Sequence, residues 1–563
     1  MEALSELAVW VVDCQTTGAS PAFGEVLEIG WGVAHAADPD VRAAETYWVA
    51  PSPGRRVSAR VRELTGYDER NAALALPPEE IWRRLRGGMG HRPRVPLAIH
   101  FAQFELAFLR DWASRFEPEQ DFPFDAVCLH AIAARLHPDL PRQSLRALAG
   151  YLGHGLELTR RCGPHVEATA FIWHKLAAEL RQQGVQSWDE LARWLAAPKP
   201  PRTGKKKRRF PLPSARYRSL PDVPGVYRFL RLNGSLLYVG KAMSLKKRVS
   251  GHFTAGAAST PRALEMLCQI HDIAITPTPT ALEAALLENE EIKACRPLYN
   301  LQLTNDGATW FANARLDSVS TTPDLEHARG PLASTFSVRA LGAIRAVLEG
   351  PEGVAAPRAL LARAVEAPER WGPEPEVFAA GFAELLRRHG LAHGPPREVR
   401  WALRRVARVL LAQGNTPLAE AEGGDAEGPG SAPGLWDPER VLRHLERAVG
   451  HAHQVLARAR WLCLLCDSVV EFREPGAATA RRLVLGGGRL LSASDAAEPA
   501  PGPTATRPLG QRQASFDRSQ YDRLRTLTTE LKRIQRDGGT VAVRVGRSRW
   551  LRGPALESIL RWV

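Results

Sequence analysis

Residues 223–241 read VPGVYRFLRLNGSLLYVGK, and the architecture of the middle of the chain follows from them. Two runs rich in Val, Leu, Phe and Tyr flank the pair Asn233-Gly234. Asn-Gly between apolar, β-prone segments signals a hairpin, because a tight turn needs positive φ that glycine adopts without steric penalty. A helix is expected next, with Ser244 as its N-cap and Leu245, Val249 and Phe253 on one face. A second helix is expected from about Thr280 to Cys295. There Leu282, Leu286 and Ile292 make an apolar stripe, with Glu288 at its edge.

Working outward, Ala196 to Arg218 is rich in Pro, Lys and Arg and has no acid. It reads as an extended linker able to lie along phosphates, or as a solvated tether. Upstream, Ala8 to Asp13 (AVWVVD) is a short apolar run ending in an acid, the pattern of a buried central strand that delivers a carboxylate at its end. Strands are expected at Val26–Ala34, Thr46–Val49 and Val95–His100, and a helix at Pro78–Leu85. This alternation argues an α/β domain.

The 563 residues suit several domains rather than one core. A net charge of +14 and a pI near 9.8 favour a polyanionic partner, although a solvated basic surface has the same charge. Seven cysteines in so long a chain make no disulfide framework. The N-terminus carries Glu2 and Glu6 with no basic run, so no signal peptide is expected. No apolar run approaches the ~18 residues of a membrane span, so a cytoplasmic protein without membrane association is expected.

Gly225-Val226-Tyr227 and Tyr238-Val239-Gly240 resemble the two signatures of the GIY-YIG nucleases. GKAMSLKKRV (240–249) is similar to the segment that follows them in nucleases of the UvrC excinuclease type, with Ser244 in place of an asparagine. ALLENEEIKACRPLYNLQL (285–303) resembles the metal-binding helix of that family and the Pro-x-Tyr-Asn after it. The resemblance implies hydrolysis of a DNA phosphodiester. Tyr227 would activate the attacking water and Tyr238 would orient it. Lys241 and Arg248 would favour the phenolate and contact phosphate, and Glu288 would hold one Mg²⁺ or Mn²⁺. Gly240, Ser244 and Asn300 would lie along the substrate. A free tyrosine titrates near 10, so such a role requires nearby positive charge.

VVDCQTTG (11–18) resembles the first motif of the DEDDh 3′–5′ exonucleases, the family of the DNA polymerase III epsilon subunit. HFAQFELAFL (100–109) resembles the second, and SLRALAGYLG (144–153) the helix before the third. That family holds two metal ions on four carboxylates, with a histidine to activate water. Asp13 and His165 match their positions. Gln15 stands where a glutamate is expected, Glu105 replaces an aspartate, Phe101 an asparagine, and Ala170 the last acid. Glu167 is the nearest substitute, at the wrong spacing. An amide is a poor ligand for a hard divalent cation. The resemblance therefore implies an exonuclease-like scaffold with impaired catalysis, used for docking DNA or protein.

Beyond Trp310 the chain is less legible. Arg329 to Ser334 and a helical run from Val338 to Leu348 resemble the region after the nuclease domain in short, Cho-type excinucleases. Helices are expected within Phe378–Leu411 and at Pro438–Leu465, and a small β element at Val469–Phe472 and Leu483–Leu491. Cys463 and Cys466, with His451 and His453 upstream, are a weak zinc pattern in an apolar run and read better as core thiols.

The expected organisation is thus an α/β multidomain chain. It comprises an RNase H-like DEDDh exonuclease-like domain (1–195), a basic linker (196–218), a small α/β GIY-YIG domain (219–310), a helical UvrC/Cho-like region (311–412), a flexible linker (413–436) and a mostly helical C-terminal region with a small β element (437–563). Three functions follow for comparison. One is a single-strand DNA incision in nucleotide excision repair, with a UvrB-like loading protein or a replication or repair complex as partner. The others are a 3′–5′ processing exonuclease and a non-catalytic DNA-binding docking protein.

Overall fold

The computed structural model describes residues 3–90, 92, 94–156, 161–198, 208–254, 260–304, 307–349, 374–391, 396–412, 436–491, 516–546 and 548–563. The chain divides into two compact units, Met1–Ala284 with Ala294–Leu301, and Ala285–Lys293 with Gln302–Val563. The segment expected as a flexible linker (413–436) lies outside the described residues except for Trp436, and residues 199–207 of the basic segment lie outside them as well.

The first unit opens with strands β1 (Ala8–Thr16), β2 (Val26–His35), β3 (Asp38–Trp48), β4 (Val95–Ile99) and β5 (Phe124–Cys128) in the order β3-β2-β1-β4-β5. β1 runs antiparallel to β2 and parallel to β4. Seven consecutive residues of β1 are buried, as a central strand covered on both faces requires. One face packs on the helix Cys162–Gln182 through Val9, Val11, Ile172 and Trp173. The other packs on the helices Pro78–Gly88 and Ala102–Phe116 through Val12, Trp82 and Phe108.

The same unit continues into the hairpin β6 (Gly225–Leu230) and β7 (Leu236–Ala242), with β8 (Asp272–Pro277) on the other side of β6. Gly234 takes φ 79° at the turn, and Arg231 N donates to Ser235 O at 2.9 Å to close the loop. Ser244 caps the helix Leu245–His252, its hydroxyl accepting from Lys247 N at 3.2 Å. The helix Ala281–Cys295 follows β8. Phe210, Leu212 and Tyr217, inside the segment read as a tether, pack against the core of this module with Phe229 and Leu245.

These two modules share polar contacts and core. Glu265 accepts from Arg146 Nη1, Ser144 Oγ and Tyr299 Oη, each at 2.9 Å. Cys268 is buried within the core of the N-terminal module beside residues such as Leu148 and Trp173. A Cβ at Gly150 would stand 2.2 Å from Gln269 Cγ, so only glycine permits this approach.

In the second unit, Phe378, Phe382, Leu385, Val406, Leu442 and Leu445 join the helices Pro375–His389, Pro396–Ala412 and Pro438–Leu465 into one core. Strands β9 (Trp310–Ala312), β10 (Val319–Ser320) and β11 (Arg329–Leu332) form a small sheet ordered β10-β9-β11. The β content near the C-terminus exceeds the expectation. β12 (Ser468–Arg473), β13 (Arg481–Gly486), β14 (Arg489–Leu490), β15 (Thr540–Val545) and β16 (Arg549–Arg552) make a five-stranded sheet ordered β14-β13-β12-β15-β16. The last two strands join it across the helix Arg518–Arg536, a pairing no local pattern announces. No helix among the described residues is long and apolar enough to cross a membrane.

The Glu265 cluster yields a stability prediction. Burial alone would raise the Glu265 carboxyl, but Arg146 and the hydrogen bonds from Arg146, Ser144 and Tyr299 hold it below the usual 4.5. A carboxyl lowered on folding stabilises the protein above its unfolded value, and the contribution is lost as pH falls through the folded one. Glu265→Ala, which removes the buried carboxylate paired with Arg146, should cost about 3 kcal/mol at neutral pH. The difference from wild type should shrink below pH 4.5, as urea denaturation followed at several pH values would show. A difference independent of pH would contradict this account.

Candidate active site

Tyr227 lies at the middle of β6 and faces Gly240 on β7, while Phe229 faces Tyr238. Residues opposite one another share a face of the sheet, so the two tyrosines project to the same side. Their ring centroids lie 6.0 Å apart. Gly240 is a steric necessity, since a Cβ there would stand 2.5 Å from the Tyr227 hydroxyl and 2.8 Å from the Tyr238 ring. The helix Leu245–His252 covers this face and brings His252 against both rings.

The Tyr227 hydroxyl and His252 Nε2 are 2.7 Å apart. Burial, and then the charge of Arg248 one helical turn away, push His252 down to about 4. The imidazole is therefore neutral at physiological pH and can accept from the phenol. Tyr227 is wholly buried, whereas Tyr238 is half-buried. Tyr238 is thus the more exposed of the two phenols.

His252 was not among the expected site residues, yet its signal was present. It stands three residues after Val249 and seven after Leu245, on the face that packs on the hairpin. Lys241 pairs with Val226, on the opposite side of the pleat from Tyr227. Arg248 is exposed on the helix. Asn300 uses its whole amide on strand β7, accepting from Val239 N at 3.0 Å and donating to Val239 O at 2.9 Å. Glu288 is half-buried on the helix Ala281–Cys295, in the stretch that belongs to the second unit. A single carboxylate of this kind suits one hard cation that keeps several waters.

The polar cluster expected as an exonuclease-like site in the N-terminal module is built differently. Asp13, near the end of β1, accepts from Gln15 Nε2 at 2.7 Å, and His165 Nδ1 lies 3.0 Å from its other oxygen. The amide and the imidazole thus give both carboxylate oxygens of Asp13 a partner. Glu105 is buried, and burial followed by the charge of Asp13 raises its carboxyl well above the usual range. Ala170 sits in the apolar core with no exposed surface, and Glu167 is exposed. Glu28, the register partner of Gln15, is committed to Arg161 at 2.9 Å and to Cys162 N at 3.1 Å. Among the described residues no three His, Cys, Asp or Glu side chains are grouped to hold a metal ion. This donor set does not fit a two-metal centre. The Cys463–Cys466 pair makes no such group either; Cys463 donates to Gly330 O at 3.3 Å, and burial raises the Cys466 thiol.

Residues 223–301 match the UvrC-like GIY-YIG domain. UvrABC system protein C of Neisseria meningitidis serogroup B is 48% identical over 89 residues, covering 16% of this chain and 14% of its own. The same protein of Alkalilimnicola ehrlichii is 50% identical over 94 residues, covering 17% and 15%. The chain thus spans about one seventh of the length of these relatives. Among solved structures, the GIY-YIG endonuclease domain of Thermotoga maritima UvrC with its catalytic magnesium is 28% identical, covering 16% of this chain and 93% of its own at a TM-score of 0.14. Exonuclease X with 5′-overhanging duplex DNA is 17% identical, covering 33% and 99% at a TM-score of 0.25.

A titration follows from the Tyr227–His252 pair. The folded value of about 4 lies below the ordinary 6.5, so folding favours neutral His252. That contribution is whole above 6.5 and is lost as pH falls towards 4. NMR of the labelled imidazole should place its midpoint near 4, and a midpoint near 6.5 would refute the buried pairing. His252→Phe should destabilise the protein by about 1–3 kcal/mol, because it removes the hydrogen bond of a buried phenol to His252.

Proposed function

We propose that this chain is a metal-dependent DNA endonuclease that nicks one strand through its GIY-YIG module, in nucleotide excision repair. The observation that supports this most is the buried Tyr227–His252 pair under a half-exposed Tyr238, within residues 223–301. Tyr238 meets the attacking water and takes its proton when Arg248, on the helix that covers the same face, favours the phenolate. The water oxygen then bonds to phosphorus as the bond to the leaving deoxyribose oxygen breaks. Tyr227 and neutral His252 fix the ring behind Tyr238 and act as positioning residues. Asn300 holds the edge of β7 that carries Tyr238. A cation bound by Glu288 would stabilise charge on the phosphate. Loading onto DNA by a UvrB-like protein fits the match to UvrABC system protein C.

The N-terminal module serves in this reading as an exonuclease-like scaffold without metal-dependent cleavage. Asp13 is occupied by Gln15 and His165, and Glu105 is held towards protonation.

Cleavage of end-labelled duplex, with and without a bulky lesion, tests the reading in Mg²⁺ and Mn²⁺. A discrete internal nick should vanish in Glu288→Ala and slow by about a hundredfold or more in Tyr238→Phe. It should persist in Asp13→Ala. A ladder of shortened 3′ ends lost in Asp13→Ala would instead make the chain an exonuclease.

A further inference from the structure

None of the residues proposed for incision lies on the five-stranded sheet of the second unit. Its strands carry seven arginines and one glutamate. Alternate residues of a strand share a face, so register decides which charges lie together. Glu471 pairs with Arg482 and with Ala542, and Ala542 pairs with Arg552. In the next row Val469 pairs with Val484 and with Arg544, and Arg544 pairs with Trp550. One face thus gathers Arg482, Arg544, Arg552 and Trp550 around a single acid.

The other face holds Val470, Phe472, Val543 and Leu551, all buried, and the helices Arg518–Arg536 and Gly553–Leu560 lie against these strands. The basic face is not neutralised from within. Arg552 reaches Glu471 only at 3.9 Å, with their side chains 61% and 39% exposed, a geometry that holds little energy. Its guanidinium instead lies 4.6 Å from the Trp550 ring centroid. Arg544 Nε is buried and has no hydrogen-bond partner among the described residues.

We propose that this face binds single-stranded DNA. Arg482, Arg544 and Arg552 contact phosphates, and Trp550 with its stacked guanidinium supports an unstacked base. A flat sheet face does not enter the major groove of a duplex, whose bases are already stacked, but splayed bases can lie on it. The clustered positive charge selects a polyanion, and the indole among the guanidiniums selects one with accessible π faces.

The test is fluorescence anisotropy of a labelled oligothymidylate with the full chain, across a salt series without divalent cation. It therefore does not depend on the nuclease reading. Replacing Arg482, Arg544 and Arg552 together by Gln should reduce the slope of log K against log salt by about two, from three phosphate contacts on a single strand. Exposed Arg482→Gln alone, which spares the fold, should reduce it by about 0.7. Trp550→Ala should weaken binding roughly tenfold with the slope unchanged. Unchanged slopes in both arginine variants would overturn the proposal. So would equal losses on blunt duplex with no effect of Trp550→Ala, or no binding of the oligothymidylate at low salt.

Discussion

Tyr227 projects across Gly240, where any side chain would strike its hydroxyl, and the fold around it follows from burying that phenol. A hydroxyl removed from water needs a partner, and an unsatisfied one is expensive. The partner comes from the end of the helix that Ser244 starts. Eight residues of helix carry the chain from the hairpin to His252, and burial keeps that imidazole an acceptor. The glycine, the N-cap and the helix length are consequently not independent features. Each is set by the need to bring one nitrogen to one oxygen while leaving Tyr238 open beside them.

The N-terminal module shows the opposite solution to burying polar groups. A two-metal centre keeps several carboxylates ionised together because cations hold them. Here an amide, an imidazole and a methyl group replace what those cations would need, and the remaining acid at 105 is pushed towards its neutral form. The result is an internally satisfied polar cluster that needs no cation to stay folded. Persistence of the fold therefore says nothing for persistence of catalysis, since the sheet is held by the apolar contacts of β1 on both faces.

Much of this was legible in the residues. The Asn233-Gly234 hairpin, the Ser244 cap and the helix Pro438–Leu465 each rest on short-range patterns, and the structure places them as expected. Departures of the N-terminal site were equally visible, because Gln15 and Ala170 change chemistry outright. What stayed hidden depends on contacts far apart in sequence. β15 and β16 join a sheet begun some seventy residues earlier. Nothing local marks Glu265 and Gln269, whose contacts form only where the helix Leu145–Leu152 meets them. Likewise Asn300 reads as a substrate contact from its motif, and only the structure shows both ends of its amide on Val239.

The contact between the modules gives the first one a mechanical reason to exist. Cys268 leaves the hairpin module to enter the neighbouring core, and Arg146 reaches back to a carboxylate that also receives Tyr299. Tyr299 precedes Asn300, whose amide is paired to the backbone of β7 beside Tyr238. Three hydrogen-bonded steps and one peptide bond thus connect a helix of the N-terminal module to the strand that carries the half-exposed tyrosine. Rigid connections of this kind hold a site to the small tolerances that positioning chemistry demands. The N-terminal module therefore bears on the geometry of its neighbour through the contacts that join them.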